Sequence, residues 1–154
     1  MKRRTFLKGT VASGMLGVAV SAGLLTPRMV LAAWPESAFA AKNIDDALSA
    51  LLGSTSLSET NDIDIKAPDI AENGAVVPIT ISTGMSGVES IAVLIKENPS
   101  PLACSYDLSA NTEGYVSCRV KMGKTSDLIA VVKSGGKLLS AKKTVKVTIG
   151  GCGG

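Results

Sequence analysis

From Asp62 onward, apolar and polar residues alternate with a period of two, β-branched residues dominate, and turn residues recur about every ten positions. Runs of this kind put their apolar side chains on one face, and that face has to be covered by another layer. The expected strands are Ile63 to Ala67, Ala75 to Thr83, Val88 to Lys96, Leu102 to Leu108, Tyr115 to Met122, Leu128 to Lys133 and Lys137 to Ile149. About seven short strands predict a mainly β chain, an immunoglobulin-like antiparallel β-sandwich. Asn73-Gly74, Thr83-Gly84 and Ser134-Gly135-Gly136 supply residues that tolerate positive φ, and Asn98-Pro99-Ser100-Pro101 interrupts any ladder by removing amide donors. Pro78 falls inside the second run and predicts an edge strand or a bulge there.

One helix precedes the strands. Asn43 is placed as N-cap, Asp45 and Asp46 lie in the positive first turn, and Gly53 stops the segment after Leu52. Ile44, Ala47, Leu48, Leu51 and Leu52 share one face, which is expected to dock on the sheet.

Residues 1–33 read as an export signal. Lys2, Arg3 and Arg4 precede an uncharged stretch from Gly9 to Thr26, broken at Pro27, that is shorter and more glycine-rich than a spanning helix of about 20 apolar residues. The string Arg3-Arg4-Thr5-Phe6-Leu7-Lys8 is similar to the twin-arginine export motif, an ordinary Sec signal being the alternative. Cleavage is expected after Ala32 or Ala33, or as late as Ala40, which leaves a periplasmic chain with no membrane segment. Residues 41–149 then form the helix-plus-sandwich domain and residues 150–154 an arm.

Five of the 16 basic residues (Lys2, Arg3, Arg4, Lys8, Arg28) and none of the 13 acidic ones precede Trp34, so the remainder carries a net charge of −2, against +3 for the whole sequence. The basic balance belongs to the signal and gives no argument for nucleic-acid binding. There is no histidine, which removes the commonest general base and the commonest zinc ligand. Three cysteines without a C-x-x-C pair make neither a metal site nor a haem attachment site, so neither cofactor nor metal is expected.

Cys104 and Cys118 fall on consecutive expected strands, nearly symmetric about Ser109 to Gly114, where they would face each other across a ladder. They are candidates for a disulfide, the alternative being two buried free thiols. Cys152 differs from both, because it sits in Gly150-Gly151-Cys152-Gly153-Gly154 beyond the last strand. Four glycines make a thin, flexible arm that presents sulfur to partners rather than packing it. Neither histidine nor a helix N-terminus stands near to activate the thiol, so the residues describe a carrier that is not itself an enzyme. A secreted structural sandwich cross-linked through Cys152, and a thiol-disulfide exchange protein, are the rival readings; the second usually needs a resolving cysteine close by.

The string Val145-Lys146-Val147-Thr148-Ile149-Gly150-Gly151-Cys152-Gly153-Gly154 resembles the end of the SoxY family, the sulfur-carrier subunit of the periplasmic thiosulfate-oxidising Sox system. Val77-Pro78-Ile79, Asn98-Pro99-Ser100-Pro101-Leu102, Val120-Lys121-Met122 with Thr125-Ser126, and Gly136-Lys137 resemble family segments in the same order. The resemblance implies that Cys152 carries sulfur as a thiosulfonate or persulfide-type adduct. It also implies a heterodimer with a SoxZ-like β subunit, a haem c-containing loading enzyme, a sulfate-releasing hydrolase and a sulfane dehydrogenase. Cys104 and Cys118 depart from the family pattern.

Overall fold

The computed structural model describes residues 35–148. The export signal at 1–33, Cys152 and the glycine arm at 150–154 lie outside the described residues. Among the described residues the chain forms helices α1 (Glu36–Ala40) and α2 (Ile44–Leu52). The strands follow as β1 (Ser58–Glu59), β2 (Ile63–Lys66), β3 (Ile70–Ala71), β4 (Val77–Thr83), β5 (Val88–Ile95), β6 (Leu102–Asp107), β7 (Gly114–Val120), β8 (Ser126–Ser134) and β9 (Lys137–Val147).

The strands make two facing sheets, β1-β9-β8-β5-β6 and β2-β4-β7, with β3 added beside β9. The seven strands expected from the alternation all form, and they build the immunoglobulin-like sandwich. The additions α1, β1 and β3 are too short to show a period. Both short strands run parallel to β9, β1 at Ser58 and Glu59 and β3 at Ile70 and Ala71.

Between the sheets lies the main core. Ile91, Val93 and Ile95 of β5 and Leu128, Ala130 and Val132 of β8 meet Val77, Ile79 and Ile81 of β4 and Val116 and Val120 of β7. The alternate positions of the same large-sheet strands, Ala92, Leu94 and Val131, face the helices instead, where they pack with Leu102, Ala38, Ala47 and Leu48. The described residues therefore form three layers: helices, large sheet and small sheet. Cleavage after Ala40 would remove α1 and with it the fully buried Ala38, whereas cleavage after Ala32 or Ala33 leaves both in place.

Local chemistry accounts for the punctuation. The Asp46 amide donates to Asn43 Oδ1 at 2.8 Å, and Gly53 closes α2 at φ 73° while its amide donates to the Ser49 carbonyl at 3.0 Å. A cap of the Asn43 kind stabilises a helix by about 1 kcal/mol. Gly135 and Gly136, at φ 55° and 75°, make the two-residue hairpin between β8 and β9, whose twist requires positive φ at both positions. The turn after β4 takes its positive φ at Gly87 (68°) rather than at Gly84. Pro78 lies on the middle strand of the small sheet, not on an edge strand, and no bulge accompanies it. It is tolerated because β2 reaches only as far as the Lys66–Thr80 pair, so that β4 is locally unpartnered on that side beside Pro78.

Candidate functional site

The described residues end at Thr148, just past β9, and show how the end of that strand is held. On one side the Lys146 amide donates to the Asp69 carbonyl at 2.9 Å and the Thr148 amide to the Ala71 carbonyl at 3.1 Å. On the other, the Val147 amide donates to Thr125 Oγ1 at 3.0 Å. Lys143 adds a further tie: its Nζ donates to the Ala67 carbonyl at 2.7 Å and pairs with Asp69 Oδ1 at 3.0 Å. The segment from Ala67 to Glu72 is thus strapped along the last third of β9.

Gly74 closes this collar by close approach rather than by its φ. A Cβ there would stand 2.3 Å from the Met122 carbonyl oxygen and 2.7 Å from Val147 Cγ1, while the Met122 amide donates to the Gly74 carbonyl at 2.7 Å. Only glycine lets the loop lie against both the end of β7 and the end of β9. The turn expected at Asn73-Gly74 is present, but its glycine serves packing. The collar formed by β3, Gly74 and Thr125 was not foreseen, because a two-residue parallel strand leaves no alternation to read.

Cys104 and Cys118 are brought together, by a route other than the ladder their spacing suggested. β6 pairs with β5 at the edge of the large sheet and β7 pairs with β4 at the edge of the small one, so the two cysteines sit on strands of different sheets. Their sulfurs nevertheless stand 3.8 Å apart as free thiols. A bulge explains the geometry. Val93 pairs with Cys104 and Leu94 with Leu102, which leaves Ala103 as an extra residue on β6. Without it Cys104 would share a face with Leu102, which packs on the helices; with it Cys104 turns into the space between the sheets.

Tyr106, two residues further along the same face, neighbours the pair. Burial, reinforced by the adjoining Cys118 sulfur, pushes the pKa of the Cys104 thiol up to about 12. Burial and the same two sulfurs push that of Tyr106 up to about 12 as well. Near neutral pH Cys104 is therefore a protonated thiol and a poor nucleophile. No group of three or more metal-ligating side chains occurs among the described residues, and no described helix is long and apolar enough to cross a membrane.

Comparison with known proteins decides the family. The family model described as sulfur oxidation protein SoxY matches residues 48–152. The chain belongs to the SoxY family. The match runs from α2 through both sheets and has Cys152 as its last residue. Among solved structures, the sulfur carrier protein SoxY from Chlorobium limicola f thiosulfatophilum is 46% identical, with 68% of this chain and 96% of that chain covered at a TM-score of 0.63. A chain from a structure of T cell specificity and activation by the bacterial superantigen toxic shock syndrome toxin-1 is 7% identical over 56% of this chain and 99% of its own, at a TM-score of 0.39. The CARDB domain of the PF1109 protein from Pyrococcus furiosus is 16% identical over 56% of this chain and 85% of its own, at 0.33. Neither of these last two bears on the SoxY fold. No curated protein sequence matches.

Proposed function

We propose that this SoxY-family chain is a covalent sulfur carrier of thiosulfate oxidation, with Cys152 as the attachment point and Gly150, Gly151, Gly153 and Gly154 as the flexible segment that presents it. The observation that carries this reading is the family match ending on Cys152, together with a 46% identical relative that is a sulfur carrier protein. The held end of β9 fits the role. Four residues lead from Thr148 to Cys152, so chain geometry keeps the Cys152 backbone within about 14 Å of a fixed root. A tether of that length lets one thiol enter successive partner clefts while the sandwich stays outside.

Loading thiosulfate on Cys152 forms a sulfur–sulfur bond and releases one proton and two electrons, which a haem c-containing partner accepts. A hydrolase then adds water, releases sulfate and leaves a persulfide on Cys152, and a sulfane dehydrogenase oxidises the remaining sulfur. All acid, base and redox groups for these steps belong to the partners, so the chain alone turns nothing over. The setting is the periplasm, reached by the twin-arginine route with residues 1–33 removed, and the working form is a heterodimer with a SoxZ-like subunit.

Intact mass of the protein purified from thiosulfate-grown cells tests the proposal. A reductant-sensitive sulfur adduct that maps to Cys152 is expected, and Cys152→Ser abolishes both the adduct and sulfur-dependent growth. Growth of that variant at the wild-type rate would overturn the carrier assignment.

A further inference from the structure

The edges that carry Cys104 and Cys118 are one place where the sandwich is left open: β6 ends the large sheet, β7 ends the small one, and no ladder joins them. Between those edges the two thiols lie 3.8 Å apart, turned toward each other by the Ala103 bulge on one side and by the inward phase of Val116, Cys118 and Val120 on the other. A disulfide sulfur–sulfur bond is about 2.05 Å, so bonding requires a closure of just under about 2 Å. β6 is hydrogen-bonded on one side only, which makes it the element that can yield.

We propose that Cys104 and Cys118 form a redox modification site independent of Cys152, which a disulfide oxidant converts to an intramolecular bridge tying the free edges of the two sheets. One thiol loses its proton and attacks the oxidant's sulfur–sulfur bond, giving a mixed disulfide and releasing one reduced thiol. The second cysteine then loses its proton and attacks the protein sulfur of that mixed disulfide, expelling the oxidant's second thiol. Two electrons pass from the cysteine pair to the oxidant, one bond forms in the protein and one breaks in the oxidant. Burial of Cys104 makes exchange through that thiol slow near neutral pH and faster as pH rises, because only the thiolate attacks. The bridge closes a loop of about 15 residues and restrains the unfolded chain more than the folded one. None of this depends on what Cys152 carries.

The full-length chain with Cys152→Ser, exposed to oxidised glutathione and then alkylated under denaturing conditions, tests the site. Expected is a monomer lighter than its fully reduced form by about 2 Da, with no alkylation and with the β6 and β7 peptides linked. Its unfolding midpoint should lie roughly 5–10 °C above that of the reduced sample. Adding Cys118→Ser or, separately, Cys104→Ser should remove both the linkage and the redox-dependent shift, and should leave a glutathione adduct on the remaining thiol. Two alkylated cysteines after prolonged oxidation at pH 9, a stable doubly glutathionylated monomer, or a linked dimer would each overturn the proposal.

Discussion

β4 and β5 run inside the two sheets and bury their side chains in different proportions. In β4, Val77, Ile79 and Ile81 point inward while Pro78 is exposed and Thr80 and Ser82 stay in contact with solvent. In β5 every position from Ser90 to Ile95 is buried, because Ile91, Val93 and Ile95 fill the space between the sheets while Ala92 and Leu94 lie under the helices. The large sheet is the spine on which both cores are built; the small sheet covers one of them and keeps a face toward water. A substitution between Ser90 and Ile95 of β5 therefore disturbs packing whichever way its side chain points, whereas in β4 the outcome depends on the parity of the position.

The largest effect is expected at Ile91, which is completely buried between the sheets. Ile91→Ala should cost about 4 kcal/mol by urea unfolding, since the cavity lies where neither sheet can move in to fill it. Leu48→Ala, on the helix side of the same sheet, should cost about 3 kcal/mol, because α1 and α2 form a short layer that can settle into the space. Thr80→Val on the outer face of the small sheet should change stability by no more than about 0.5 kcal/mol, although it removes the 3.1 Å contact between Thr80 Oγ1 and Ser117 Oγ. If Thr80→Val cost as much as Leu48→Ala, the outer face of the small sheet would be covered by something else, and the contrast between one-faced and two-faced sheets would fail.

That contrast also separates what the residue pattern revealed from what it hid. Strict alternation identified β4 and β7, and the β-branched run between Gly87 and Asn98 identified β5, but nothing in such a run says which side chains face helices and which face the other sheet. The cysteine pair shows the limit most clearly. Symmetry about Ser109 to Gly114 suggested a hairpin, yet the chain crosses between sheets there. Contact survives only because the Ala103 bulge shifts the phase of β6 by one residue. A bulge of that kind reflects a compromise among neighbours distant in sequence, and Leu102-Ala103-Cys104 carries no local mark of it. β3 escaped notice for a related reason. Its two residues acquire meaning only through β9, some 75 positions later, where Ala71 meets Val147. For Cys152, by contrast, its setting among four glycines was legible directly, since glycine spacing is a property of the chain itself.

The pairing of β9 has a mechanical side. Tension applied beyond Thr148 runs along the axis of β9, which is bonded to β8 at nine successive register positions and to β3 in parallel at its far end. Hydrogen bonds perpendicular to the pull are stressed in shear and have to rupture together, whereas a strand peeled sideways loses them one at a time. Such a pull should therefore reach the sandwich as shear on β9, with the Asp69–Ala71 strap bearing the load first, between Lys146 and Thr148.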